Sequence, residues 1–418
     1  MATIAVLGTL DTKGREHAFV VERIRAQGHA TLLIDVGTGA EPAVMPDIPR
    51  AEVAAAAGID VAELVARRDR GECVTAMATA APLMLLRLVA EGRIQGVISL
   101  GGGGGTAIAS AAMRPLPIGF PKLIVSTLAS GNTAHYVGTT DITMMPAVVD
   151  VQGLNRISRT ILARAAGAIC GMVEADVTAG DEKPLIVASM FGNTTKCIEA
   201  AVPLLEQAGY EVVVFAATGT GGRAMEALIA SGLVAGVLDI TTTELADELV
   251  GGALSAGPER LDAAAKYGVP AIVAPGCLDM VNFGERHTVP EKYAGRTLYA
   301  HNPQVTLLRT TPAECAALGR LVAEKVNASR GPVSVLIPRR GISVISAAGG
   351  PFHDQHADAA LFAALESGLR PGIPCHSLDL EINDPAFARA CVEALLTNIE
   401  RAHAATHTKP GAEATGSH

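Results

Sequence analysis

The feature that most constrains this chain is a recurring apolar run of strand length that never alternates with polar residues. Such runs occupy Thr3–Leu7, Thr31–Val36, Gly96–Leu100, Leu123–Thr127, Leu185–Ser189, Glu211–Phe215, Val234–Ile240, Ala271–Ala274, Val305–Arg309 and Val333–Ile337. A strand with one wet face alternates, whereas unbroken apolarity marks strands covered on both faces, as in parallel sheets between helices. Stretches with helical spacing lie between them: Glu16–Gln27, Cys73–Ala90, Asn155–Gly171, Lys196–Gln207, Gly257–Tyr267, Ala313–Val326 and Pro385–Ala402. Gly28, Gly92, Gly209 and Gly268 stand just past helix ends, where a left-handed residue stops a helix. The pattern predicts an α/β fold of mainly parallel sheets covered by helices.

The 418 residues exceed what one hydrophobic core serves well, so two domains are expected. An internal echo supports a duplication. Ile4–Gly39 and Leu185–Gly221 both read strand, polar Thr/Lys loop, helix, glycine, strand, Gly/Thr loop. Arg93–Gly103 then echoes Leu233–Thr243, and Pro121–Gly131 echoes Val269–Asp279, in the same order. The expectation is two similar Rossmann-like domains, a nucleotide-binding one over 1–178 and a second over 183–403, joined through the polar stretch Glu174–Pro184. Residues 404–418 read as a disordered tail.

Charged residues make up only 18% of the chain, which points to surface hidden in a homodimer or higher homo-oligomer. The net charge of −9, the lack of basic runs and the absence of Trp speak against nucleic acid. Apolar runs of strand length broken by Gly, Pro or charge speak against a membrane span, and the N-terminus runs directly into a strand, so the expected address is cytoplasmic. Seven scattered cysteines without a C-x-x-C pair fit small buried residues.

In parallel sheets, ligands bind beyond the carboxyl ends of strands, and there the polar motifs sit. The first strand leads into Gly8, Thr9, Leu10, Asp11, Thr12, Lys13 and Gly14, a set that suits a phosphate with a divalent cation. The plainer reading of Asp11 or Thr12 is a helix cap. The third strand runs into Gly101, Gly102, Gly103, Gly104, Gly105 and Thr106, and five glycines are entropically costly unless a ligand needs the bare backbone. Ser130 and Gly131 follow the next strand, and Asp141 lies a little beyond. Asp11 and Asp141 are the candidate magnesium ligands.

The second half has its own polar strand ends. Glu244, Asp279 and His301, with Asn282, supply the groups of an acid–base apparatus, and Ala217–Gly222 suits a small anion. Cys277 reads as packing, and His353 with His356 as a solvated helix start.

These motifs together resemble one family: the ATP-binding domain of the tomato mosaic virus resistance protein and its bacterial relatives. The similarity runs from GTLDTKG at Gly8–Gly14 through GFPKLIVSTLASG at Gly119–Gly131, LDITTTELADELVGGALSAGP at Leu238–Pro258, PGCLDMVNFG at Pro275–Gly284 and HNPQVTLLRT at His301–Thr310 to Ile382–Asp384. The resemblance implies two α/β subdomains, ATP binding and a dimer, and no settled reaction. A serine expected within the glycine run is glycine here. The reading that follows is an enzyme using ATP and magnesium on a small carboxylate or sugar-acid-like substrate. The alternatives are an ATP-dependent binding module and a nucleotide-independent lyase or hydrolase.

Overall fold

A computed structural model describes residues 1–67, 69–176 and 183–407, gathered into two compact units, Met1–Ala179 and Gly180–His418. The first unit runs β1 (Thr3–Gly8), α1 (Leu10–Arg25), β2 (Ala30–Asp35), α2 (Arg50–Ala55), α3 (Val61–Arg67), α4 (Arg70–Ala90), β3 (Gly96–Gly101), α5 (Gly103–Met113), β4 (Lys122–Ser126), α6 (Ala134–Val137), β5 (Thr143–Pro146) and α7 (Arg156–Glu174). Its five strands are all parallel in the order β2-β1-β3-β4-β5. The apolar runs are continuous because each strand feeds two cores. Ala5 and Leu7 pack with Met77, Met84 and Ile108 of α4 and α5, while Ile4 and Val6 pack with Val20, Ile24 and Ile169 of α1 and α7.

The second unit runs β6 (Leu185–Met190), α8 (Thr195–Gln207), β7 (Glu211–Ala216), α9 (Thr220–Ala230), β8 (Val234–Thr241), α10 (Thr243–Val250), α11 (Asp262–Tyr267), β9 (Ala271–Gly276), β10 (Met280–Phe283), β11 (Leu298–Asn302), β12 (Val305–Arg309), α12 (Pro312–Asn327), β13 (Val333–Pro338), α13 (Gln355–Gly368), β14 (Cys375–Leu378) and α14 (Pro385–His407). Six parallel strands form the sheet β7-β6-β8-β9-β13-β14, and β10, β12 and β11 form a small antiparallel sheet. Each echoed sequence block occupies the matching place in the two large sheets: β1 with β6, β2 with β7, β3 with β8 and β4 with β9.

Three expectations need correction. Val305–Arg309 is a strand, but it pairs antiparallel with β10 and β11, because burial on both faces looks the same whichever way the neighbours run. The apolar runs are not all of strand length: α4 spans 21 residues and is long and apolar enough to cross a membrane by length and composition, since Cys73–Leu86 carries no charge. It buries Met77, Ala80, Ala81, Met84, Leu85 and Leu88 in the first unit. The C-terminal helix continues to His407, so the first residues of the expected tail are helical, while 408–418 lie outside the described residues. So do 177–182 of the expected linker.

Candidate functional site

In the first unit the strand order reverses between β1 and β3, and the loops leaving them feed helices on opposite faces of the sheet. Such a switch point leaves a crevice at the carboxyl ends of the strands. A cavity of about 760 Å³ opens there. Its walls come from Thr9, Asp11, Thr12 and Lys13 after β1, Thr38 and Gly39 after β2, and Gly102–Gly105 after β3. Val36, Val65, Val74 and Ile108 add an aliphatic side, and Arg70 and Asp150 add charge.

The five glycines divide into two kinds. A Cβ on Gly101 would stand 2.8 Å from the Thr106 nitrogen and 2.9 Å from the Gly105 backbone, so the turn itself needs that glycine. The others have room. A Cβ on Gly103 would meet nothing within 4 Å, one on Gly102 only the Thr127 hydroxyl at 3.7 Å, and one on Gly104 the Val74 side chain at 3.4 Å. None of the five takes a left-handed backbone. Nothing in the protein demands glycine at 102–104, yet Gly102 caps α5 and Gly103 and Gly104 open it, the latter two each about 1 kcal/mol worse than alanine within a helix. The first-turn N–H groups have no intrahelical acceptor, and the ladder starts with Thr106 N–H donating to the Gly102 carbonyl at 2.9 Å. The bare backbone thus admits a group that must come closer than a methyl allows, and it presents donors to that group.

The loop after β1 supplies oxygens and a cation. Asp11 Oδ2 accepts from Gly39 N–H at 2.7 Å, while its Oδ1 is buried without a partner. The fit is close: a Cβ on Gly37 or Gly39 would come within 2.6 or 2.7 Å of that carboxylate. Asp11 therefore ties two loops together and does not cap α1. Lys13 departs from helical geometry (φ −130°, ψ 25°), and its ammonium donates to the Val151 carbonyl.

Other residues expected at this site are placed elsewhere. Gly8 backs onto buried His17, whose Nε2 would lie 1.9 Å from a Cβ there. Thr106 is fully buried and shares a 2.7 Å hydrogen bond with Ser126, knitting α5 to β4. Ser130 and Gly131 lie exposed after β4 and off the cavity wall. Asp141 is not beside Asp11 in the cavity, because it serves the fully buried Lys122: its Oδ1 sits 2.6 Å from Nζ, and its Oδ2 accepts from Gly119 N–H at 2.8 Å. Among the described residues no group of three His, Cys, Asp or Glu gathers as metal ligands. Sequence reasoning missed Arg70 and Asp150. The available signal was an arginine opening a helix, where the macrodipole favours an acid.

In the second unit the expected acid–base residues do not share a cleft. Glu244 is fully buried: Oε1 accepts from Gly219 and Gly222 N–H at 2.7 and 3.0 Å, and Oε2 accepts from Arg260 Nε at 2.6 Å. Arg260 also forks onto Asp239 at 2.6 and 2.7 Å and reaches Glu226 at 3.2 Å. Burial opposes its charge, but Asp239, Glu244 and Glu226 hold the guanidinium protonated well above the ordinary arginine range. The anion expected at Ala217–Gly222 is thus the chain's own Glu244. Asp279, also fully buried, accepts from the Ser343 hydroxyl at 2.8 Å, and burial pushes its carboxyl up to about 6 against Arg309. Asn282 donates to Asp247 at 2.7 Å, and burial raises Asp247 to about 7. His301 is exposed on β11. Cys277 is fully buried, and burial lifts its thiol well above the usual range, in keeping with packing.

Two family models match, the N-terminal domain of the uncharacterised protein family UPF0261 over residues 2–178 and its C-terminal domain over residues 183–399. A UPF0261 protein of Clostridium tetani (strain Massachusetts / E88) is 48% identical over 400 residues, 95% of this chain and 99% of that one. The ToMV resistance protein Tm-1(GCR237) of Solanum lycopersicum is 37% identical over 413 residues, covering 93% of this chain and 55% of that protein. Among solved structures, UDP-N-acetylglucosamine 2-epimerase from Rickettsia bellii aligns over 98% of this chain and 100% of its own, at 11% identity and a TM-score of 0.22.

Proposed function

Starting from the chain's membership of the UPF0261 family, we propose that its first domain binds a phosphorylated nucleotide, ATP with magnesium. One observation carries this reading: Gly102, Gly103 and Gly104 are glycines that the protein does not itself require, set at the start of a helix and facing a cavity at the switch point. Helix-start amides would hold the phosphates. The partnerless Oδ1 of Asp11, with Asp150 on the same wall, offers the hard oxygens that magnesium takes. Val36, Val65, Val74 and Ile108 form an apolar side suited to a base. When bound, ATP supplies an activated phosphoryl group.

The binding reading is favoured over the enzymatic one with Glu244, Asp279 and His301 as its acid–base set. The first two are committed to internal partners and the third stands apart from them. The low charge of the chain supports a homodimer alongside.

The test is calorimetric titration of ATP, ADP and NAD, with magnesium, into the wild type and Gly103→Ala. A methyl at 103 touches no protein atom, so the variant folds at least as well as the wild type, yet it stands where the phosphate must come. Loss of ATP affinity by about tenfold or more is expected, an overpacking cost of roughly 1–3 kcal/mol. Unchanged affinity in the variant, or NAD binding as tightly as ATP, overturns the assignment.

A further inference from the structure

We propose that Arg70 is the residue that reads the charge of the ligand's phosphate tail, a role the sequence pattern alone gives to Lys13; this rests on the nucleotide reading above. Arg70 opens α4, the end of a helix that repels a cation and favours an acid. Its neighbouring acids are committed elsewhere: Asp69 caps the helix by accepting from Glu72 N–H at 2.9 Å, and the Glu72 carboxylate pairs with Arg67. Among the described residues, no acceptor is hydrogen-bonded or ion-paired to Arg70. Arg70 is exposed, so water solvates its guanidinium and the helix end costs it little, which leaves the side chain open to a partner from outside the chain.

Its position says what that partner is. Nη2 of Arg70 lies 3.9 Å from where a Cβ of Gly104 would sit, so the guanidinium overhangs the first turn of α5 from the α4 side of the cavity. Arg70 and the amides of that turn line the same cavity, and a guanidinium fork engages two oxygens of one phosphate or of neighbouring phosphates at once. Lys13 is differently employed. Its backbone breaks from the helix, and its ammonium holds the Val151 carbonyl, next to Asp150 on the cavity wall. Lys13 is a positioning residue for that wall, and Arg70 is the cation left for the ligand. The ligand class follows: a polyphosphate, whose charge beyond the first phosphate falls to Arg70.

The experiment titrates magnesium with ATP, ADP or AMP into the wild type, Arg70→Ala, Arg70→Lys and Lys13→Ala, and records the thermal unfolding midpoint of each protein without nucleotide. Arg70→Ala is expected to weaken ATP binding about tenfold to a hundredfold, as for a lost charge-assisted hydrogen bond, and AMP much less. Its unfolding midpoint stays at the wild-type value. Arg70→Lys recovers part of the loss, since charge returns without the fork. Lys13→Ala lowers the midpoint. Wild-type ATP affinity in Arg70→Ala, or an equal loss for all three nucleotides, overturns the proposal while leaving the nucleotide reading intact. Failure of the wild type to bind any of the three overturns both.

Discussion

The two domains share the order of their first four strands and differ at the turn that leaves the third. In the first, β3 runs into Gly101–Gly105; in the second, β8 runs at the matching place into Thr241, Thr242, Thr243 and Glu244, all fully buried. Thr241 bonds Thr194, Thr242 bonds the Ala274 carbonyl, and Glu244 occupies the amides that open α9. The second domain answers its switch point with its own side chains, whereas the first leaves its turn bare. Topology places a crevice, but the residues at one turn decide whether it receives a guest or is sealed.

The sharpest way to break this contrast is Arg260→Ala. It strands Asp239, Glu244 and Glu226 in the second domain and should cost about 3–5 kcal/mol, as when a buried ion pair loses one partner. Denaturant unfolding checks it, and a loss under 1 kcal/mol would mean that the network does not seal the turn.

Acidity should separate the domains next. Burial raises Asp247 to about 7 and Asp279 to about 6, so the folded second domain holds protons that the unfolded chain releases. That stability is full below the unfolded value near 3.8 and is lost as pH rises through 6 to 7. His17 in the first domain runs the other way. Burial lowers its pKa, so the unfolded chain binds the proton more readily, and stability present above pH 6.5 is lost as pH falls. Moving from pH 8 to pH 5 should therefore strengthen amide-exchange protection in β8 more than in β1, where His17 opposes Asp35, a carboxyl that burial also raises, and Asp247→Asn should flatten the first response. Equal responses in both strands would refute the account.

The smallest effect comes from paired glycines. A Cβ on Gly222 would stand 2.2 Å from Glu244 Oε2, so Gly222→Ala should destabilise by about 1–3 kcal/mol. Gly103→Ala should be neutral or gain up to about 1 kcal/mol. Equal costs would show that both turns are packed alike.

How much of this was legible beforehand depends on the residue. The strands of both large sheets announced themselves through continuous apolarity, except β5 and β14, which are four residues each and carry exposed positions. The glycine run pointed to the crevice because its cost has no local return. Glu244 misled, since a carboxylate at a strand end looks the same whether it faces a substrate or an internal arginine. Its partner Arg260 lies 16 residues on, in a Gly-Pro-Glu-Arg loop without periodicity. Arg70 escaped for the same reason: it and the glycine turn are 34 residues apart, on separate elements joined only in space.

The antiparallel sheet of β10, β11 and β12 lies within the crossover between β9 and β13, which nonetheless pair in parallel from Ala271 with Val333 to Val273 with Val335. Lengthening a closed loop costs little, about 0.6 kcal/mol per doubling, so the crossover can grow while the strands it joins keep their register. The exposed hairpin tip at His301–Gln304 is thus a natural graft point, where a reporter peptide could be carried without altering the β9–β13 ladder.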